Sequence, residues 1–597
     1  MLGLGGQYTQ MSIEQLPGIR GIATNFGLSY IPGTWINSIQ VSKGMGSVVN
    51  GFESVSGLIN VELHKPTTKE KVYLNAYASE GGRYEANVVF AHQPSKMFSH
   101  ALFLHGSTFA LRMDRNKDGY MDNPIGSQGN VLYRFLVDNK TGFVFQGSIQ
   151  YLRDEKTGGQ MDYERNHTDT NTVHLYGTQV DAERLSASMR LGYVFKGSQF
   201  RSVGLQMNAS QQSFDNLFGK NIYTGRQKSF YSNLIYQDIL GNINHKVRTG
   251  LSLQIDSVSE ILDNKQSNYY AAPSETVNKF WEFPRYERVA GVFGEYTYSY
   301  LAVFTLVAGA RADYHSRVGW MFVPRLHLRY APWSSTVFRA SAGKGWRTAN
   351  LLNENMSSLL SGRRVYFNNA NHDYANSAAY GYKPEVAWNF GVNITHEFKL
   401  NYRKGNIGID YYYTQFENQV FANREFARTL VFTEHQGGSF SSSFQIQADY
   451  QPIRRFDVRF AYRWFDVENN FTGTWLQLPF IAKHRWFLNM AYTTKSNWGF
   501  DVTLNRVGEK RIPPTTANPE QLQLPSYSDP YMLVNAQISK KWKKRLDVYI
   551  GMENIFNFQQ PNAILDPANP FGTYFDASLT WGPVFGRMVY GGLRFKM

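Results

Sequence analysis

The chain has 597 residues, 42% of them hydrophobic, 15% aromatic and only 18% charged, with a net charge of +14 and a mean hydropathy of −0.40. Disorder is excluded by that apolar content, and no stretch nears the roughly 18–20 consecutive apolar residues of a membrane-spanning helix. With no cysteine, disulfide scaffolds, thiolate metal centres and cysteine nucleophiles are excluded; the basic residues are scattered, with no basic arm or finger, so no nucleic-acid partner is expected. Residues 1–66 come first in the chain and are rich in glycine and small residues. Their short β pieces, at 36–41 and 57–63, stop at Lys65-Pro66. They read as a small separate domain.

From residue 67 onward, period-two alternation dominates. Val72, Leu74, Ala76 and Ala78 alternate with Tyr73, Asn75 and Tyr77, and after the turn at Glu80–Arg83 the alternation resumes at Tyr84, Ala86, Val88 and Phe90. The same grammar returns at 407–414, 532–539 and 546–553. A soluble sandwich also alternates, but here the polar face carries Tyr, Asp, Glu, Arg and Gln strand after strand. That pattern fits a barrel with lipid outside and a polar lumen. Short connections such as 138–142, 241–244 and 452–456 alternate with long ones at 111–130, 154–185, 214–227, 262–284, 348–384, 510–530 and 557–583, the rule for periplasmic turns and extracellular loops. Crossing a bilayer takes about 9–11 tilted residues, so 67–597 accommodates about 22 strands, a size at which barrels are plugged rather than open. The last run, Val589–Met597, ends inside a strand that closes against the first. The expected fold is all-β: an antiparallel transmembrane β-barrel of about 22 strands over 67–597, in the outer membrane of a Gram-negative bacterium and in contact with its lipid. Residues 1–66 form a partial plug in the lumen.

The segment INSIQVSKGMGSVVNGFESVSGLINVEL at 36–63 resembles the last part of the plug of TonB-dependent outer-membrane receptors. The matching positions are Lys43, Gly44, Gly46, Ser47, Gly51, Gly57 and Asn60. Further segments resemble barrel motifs of that family in order: Gly309–His315, Pro324-Arg325, Gly343–Thr348, Lys383-Pro384-Glu385, Gly551–Asn557 and Gly586-Arg587. The start of this sequence resembles the middle of such a plug, so half the plug, the TonB box and the signal peptide are expected to be missing. The resemblance implies a receptor, not an enzyme, for active import of a scarce nutrient. TonB would be the partner through that missing segment, and a surface lipoprotein is a further partner known in the family. A metal chelate (ferric siderophore, haem, cobalamin) or a metal ion leads as cargo. A passive porin, or an importer of an oligosaccharide or peptide, is the alternative.

Two local patterns carry chemistry. Asp114-Arg-Asn116-Lys-Asp118-Gly-Tyr120-Met-Asp122 has the D-x-N-x-D-G spacing of a calcium loop, whose oxygens converge around a glycine turn. Ile125 stands where an EF-hand has its bidentate Glu, so the expectation is calcium as a structural clamp on an extracellular loop. In the 348–384 loop, Arg363 and Arg364 could meet an anionic chelate. His372 and Tyr374 join them as substrate candidates, and Tyr366, Phe367, Tyr380 and Tyr382 offer stacking faces. No G-x-S-x-G, H-E-x-x-H or P-loop pattern occurs.

Overall fold

The computed structural model describes every residue except 69, 166–174, 266–279, 369–376, 426, 427, 472 and 544. Two sheets organise it. The first is the four-stranded sheet of β1 (Thr9–Ile13), β2 (Leu16–Ile19), β3 (Ile36–Lys43) and β4 (Gly57–Leu63), in the order β2-β1-β4-β3. β1 runs parallel to β4, while β2 and β3 pair antiparallel with their neighbours. The second is a closed barrel from Val72–Ser79 to Met588–Lys596, whose first and last strands pair directly. Among the described residues it has 22 strands. Two short strands, Arg364–Asn368 and Thr474–Gln477, are additions on top, because their flanking strands also pair directly with each other.

The barrel is apolar outside and polar inside. Leu74, Phe90, Ile149, Leu251, Val292, Phe322, Val392 and Ile550 are exposed, whereas Asn75, Asn87, Asn130, Asp154, Gln254 and Asn389 are buried. Closure is what makes this wall stable in lipid: each strand's backbone groups are met by its neighbours and no edge is left.

Strand length is where the structure departs from the sequence pattern. Ser202–Phe218 and Asn221–Ile239 are joined by a two-residue turn, so the long loop expected at 214–227 is strand. The two ends of 154–185 and of 262–284 are strand as well. On this side the wall strands run to 20, 21 and 25 residues, about twice what crossing requires. Above the lipid an outward side chain need not be apolar, so the alternation fades while the ladder continues. The opposite side is low, with Leu546–Glu553 and Met588–Lys596 spanning 8 and 9 residues. There the loops 508–530 and 554–587 build the height instead.

The plug sits against the lumen wall through local apolar spots. Val48 and Val49 meet Phe293, Phe52 stacks on Trp346 at 3.9 Å, and Trp35 meets Phe103 edge-on at 5.6 Å. These lumen-facing aromatics break the polar-inside rule where the plug covers them.

Candidate plug latch and outer mouth

Of the seven expected plug-motif residues, Lys43, Gly44, Gly46 and Ser47 meet the wall, while Gly51, Gly57 and Asn60 shape the plug itself. Lys43 Nζ donates to Asp410 at 2.6 Å and to Gln445 at 3.0 Å. Gly44 has φ +74°, and a Cβ there would meet Asn389 at 2.8 Å and Tyr412 at 2.9 Å, so only glycine fits. The carbonyls of Gly46 and Ser47 both accept from Arg325 Nη1 at 2.9 Å. Ser47 Oγ caps the short helix 48–50 and also donates to Glu295, and Gly51 ends that helix. Gly57 opens β4, and Asn60 Oδ1 accepts from the Gln15 amide at 2.6 Å, tying β4 to the β1–β2 turn. On the wall side, Gly345 lies against the plug backbone at Ser54 and Phe52, and Arg311 pairs with Asp313 at 2.7 Å beneath Val48.

Above these contacts lies a belt of charge that the strand pattern does not announce. Plug Arg20 bonds Asp256 of the wall and faces plug Glu53 at 3.7 Å. Arg347 pairs with Glu354 of the 348–384 loop and with Glu385 at 3.3 Å; Glu385 also accepts from the plug Tyr8 hydroxyl at 2.8 Å. Arg285 pairs with Glu260 and Glu287, each at 3.1 Å, and donates to Asn350 of the loop. Three guanidinium groups thus face six carboxylates. Burial pushes the Glu53 and Glu354 carboxyls above the usual 4.5, against the pull of Arg20 and Arg347 respectively. A buried pair of this kind contributes little net stability but is costly to break from one side. That suits a contact which must be firm at rest and separable.

The outer mouth is closed by apolar packing. Plug residues Ile22 and Tyr30, wall residues Phe214, Tyr223, Leu262 and Phe283, and loop residues Leu351, Leu352, Met356, Leu359 and Val365 form one buried cluster. Phe367 stacks against Phe283, Tyr380 and Phe432 at 4.8–6.0 Å. The Tyr380 hydroxyl donates to Glu260, and that of Tyr382 donates to the Phe432 carbonyl at 2.8 Å. These three aromatics therefore anchor the loop, while Tyr366 stays exposed. Arg363 is buried and ion-paired with Asp576 of the last loop at 2.8 Å. Arg364 opens the short strand that runs parallel to Thr429–Thr433. His372 and Tyr374 lie outside the described residues. Asn25 of the plug donates to the Asn353 carbonyl at 3.0 Å, so the mouth loop touches the plug apex directly.

The calcium-like segment forms one compact outer turn. Asp114 accepts from the amides of Asp118 and Gly119 at 3.1 and 2.9 Å, Asp118 accepts from the Tyr120 amide at 2.9 Å, and Asn116 donates to Asp118 at 2.8 Å. Asp122 accepts from the Arg115 amide at 2.9 Å, and burial pushes its carboxyl up to about 6. Among the described residues no three His, Asp or Glu side chains stand arranged to hold a metal ion.

Plug, closed barrel and latch agree with the sequence-family match. Residues 108–555 match the family described as TonB dependent receptor-like, beta-barrel. The chain belongs to the TonB-dependent receptor family. Solved structures similar to it include a mutant of the ferric enterobactin receptor PfeA of Pseudomonas aeruginosa, at 13% identity and TM-score 0.69 over all of this chain and 91% of that one. The siderophore receptor PirA of Acinetobacter baumannii matches at 13% and 0.70, over 100% and 92%. The ferric-catecholate import receptor Fiu of E. coli K12 matches at 13% and 0.69, over 98% and 89%. No curated protein matches the chain in sequence. Membership makes this an outer-membrane receptor of a non-enzymatic transporter family, with TonB and a substrate as partners. It also orients the molecule, with the short turns and the β4-to-barrel linker at the periplasmic end and the mouth loop outside.

Sequence reasoning missed Arg20, Glu53, Asp256, Glu260 and Arg285. Asp256 and Glu260 share the strand His245–Asn264, Arg285 lies on the strand paired with it, and Arg20 and Glu53 come from two turns of the plug, so it is the seating of the plug against this hairpin that brings them together. The one available signal was a charged residue at a lumen-facing strand position, and many such positions are merely wet.

Proposed function

We propose that this receptor imports a metal chelate of the ferric-siderophore class. The ligand lands on the outer loops, and the plug yields to a pull from TonB. The observation that supports this most is the continuous contact from mouth loop to plug. The 348–384 loop supplies Glu354 to Arg347, Asn350 to Arg285 and the Asn353 carbonyl to plug Asn25. A ligand that shifts this loop withdraws partners from the belt holding Arg20, Tyr8 and Glu53, and the plug's equilibrium moves toward release. The chelate class rests on the similarity to receptors described as siderophore and ferric-catecholate receptors. Exposed Tyr366 and Arg364, with His372 and Tyr374, are the residues proposed to meet it. The Asp114–Asp122 turn is proposed to take calcium as a clamp, on the strength of Asp122 Oδ1, a buried acceptor with no hydrogen-bond partner among the described residues.

The test is element-resolved uptake in a strain lacking the receptor and in its parent, with iron, copper, zinc and cobalt each supplied scarce. A selective fall in iron that siderophore supplementation reproduces is the expected result. Equal uptake of all four elements would overturn the metal reading and turn the search to oligosaccharides, peptides or a passive pore.

A further inference from the structure

One periplasmic turn concentrates positive charge. Between Tyr531–Trp542 and Leu546–Glu553, residues 540–545 read Lys-Lys-Trp-Lys-Lys-Arg. The Lys541 amide bonds the Asn497 carbonyl at 3.1 Å, which joins this turn to the neighbouring one that carries Lys495. Elsewhere on the same rim the cations have acids beside them: Lys140 pairs with Asp138 at 2.5 Å, Arg201 with Asp238 at 2.8 Å and Arg459 with Asp449. Among the described residues no such pair is formed by Lys495, Lys540, Lys541, Lys543 or Arg545, and Asp547, the acid nearest in sequence, is taken by Arg594 at 3.4 Å. Asp501 of the adjacent strand accepts from Asn489 at 3.1 Å.

Lys540 stands on the lipid side of the wall. Ile538 and Trp542, two residues away on the same face, are exposed, and so are its cross-strand partners Trp498 and Val548. Its Nζ lies 5.0 Å from the Trp498 ring centre and 5.9 Å from that of Trp542, and donates to the Ser496 carbonyl at 2.6 Å. Tryptophan settles at the headgroup level of a bilayer. A lysine there lays its stem on apolar surface and carries its charge to the headgroups. The bond to Ser496 uses one of the three ammonium protons. The wall is also short here, with 8 and 9 residues in Leu546–Glu553 and Met588–Lys596, at the lower end of the about 9–11 that a crossing takes or below it. A short span thins the bilayer around it and relies on flanking side chains that reach the headgroups.

We propose that the 540–545 turn, together with Lys495, binds the headgroup of an anionic phospholipid in the periplasmic leaflet and so fixes the low side of the barrel in the bilayer. Lys540 meets the lipid phosphate at the level of Trp498 and Trp542, as a charge-assisted hydrogen bond. Lys495, Lys543 and Arg545 add attraction over the surface of the two turns, without converging on one oxygen set. The site lies on the outer face of the wall, apart from the plug and the cargo path.

The test is native mass spectrometry of the full chain, purified and delipidated in detergent, titrated with phosphatidylglycerol and, separately, with phosphatidylcholine of the same acyl chains. The expected result is one phosphatidylglycerol held at least about tenfold more tightly than phosphatidylcholine. Lys540→Gln and Lys543→Gln should each weaken it about fivefold, and Lys540→Arg, which keeps the charge, should retain it. The combined Lys540→Gln, Lys543→Gln and Arg545→Gln variant should bind the two lipids alike. Lys140→Gln, at a turn whose lysine already has its acid, should bind as the wild type does. Folding of each variant is read from the heat-dependent mobility of the barrel on a gel. If the triple variant does not fold, Lys543→Gln at the exposed tip decides. Equal binding of the two lipids by the wild-type chain, or a preference that these substitutions leave intact, would overturn the proposal.

Discussion

The two ends of the lumen are built on opposite plans. At the outer mouth, plug apex, wall tops and the 348–384 loop share one apolar cluster over a belt of paired charge. At the periplasmic end, the plug leaves an open bay of about 570 Å³, lined by Val41, Ser42 and Lys43 of β3 and by wall residues including Arg329, Arg339 and Asp410. There β3 presents exposed Ile39 and Val41 on the edge of its sheet. Among the described residues the apolar seal is therefore at the top. A plug that must respond to a ligand above and a pull from below needs its strongest and most specific contacts at the ligand end.

The largest expected way to break this contrast is Arg20→Ala. It leaves Asp256 and Glu53 without their cation, and stranding a buried charge in this way costs about 3–5 kcal/mol. The plug of the variant should become protease-sensitive while the barrel keeps its heat-dependent gel mobility. An unchanged digestion pattern would mean that the apolar contacts alone hold the plug. Phe52→Ala, which empties the face of Trp346, should loosen the plug by about 3 kcal/mol through cavity formation, and the same digestion reads it. Gly44→Val forces a side chain into Asn389 and Tyr412 at a left-handed φ, at a cost of about 1–3 kcal/mol. Its effect should fall on plug seating at the lower wall and spare the mouth.

The pH dependence sharpens the same comparison. Glu53 and Glu354 have carboxyls raised above 4.5 in the fold by burial. Groups raised in this way favour the folded contact in their protonated form, so their contribution is full below the unfolded value and fades as pH rises through the folded one. Plug protection should therefore increase as pH falls toward the ordinary carboxyl value of about 4.5, and Glu53→Gln should flatten that change. The smallest expected effect is calcium at the Asp114–Asp122 turn, because Asp114 and Asp118 already accept from loop amides. Slower protease cleavage of this loop in calcium than in chelator, above about pH 6 where Asp122 ionises, is the expected result. Equal cleavage would leave the turn to its own amides.

What could be read without coordinates follows from what is local. The alternation at 72–90 and 546–553 becomes barrel wall with Leu74, Phe90 and Ile550 toward lipid. Lys43, Gly44, Gly46 and Ser47 meet the wall. The expected loop at 214–227 fails for a physical reason: periodicity reports lipid contact, and these strands rise above the lipid. Arg363 and Tyr380 looked like ligand contacts because their residue types suit one. Folding spends them on Asp576 and Glu260 instead.

The sequence by itself determined the barrel, its approximate strand number and its inside-out polarity, because a two-residue period is written along the chain, and the resemblance of its motifs pointed to the family. Tertiary structure alone decided the height of the wall, the closing of the mouth and the charge belt around Arg20, Arg285 and Arg347. Many of those features join residues far apart in the chain, as Arg20 with Asp256 and Tyr8 with Glu385, which only the seating of the plug in the closed barrel brings within bonding distance.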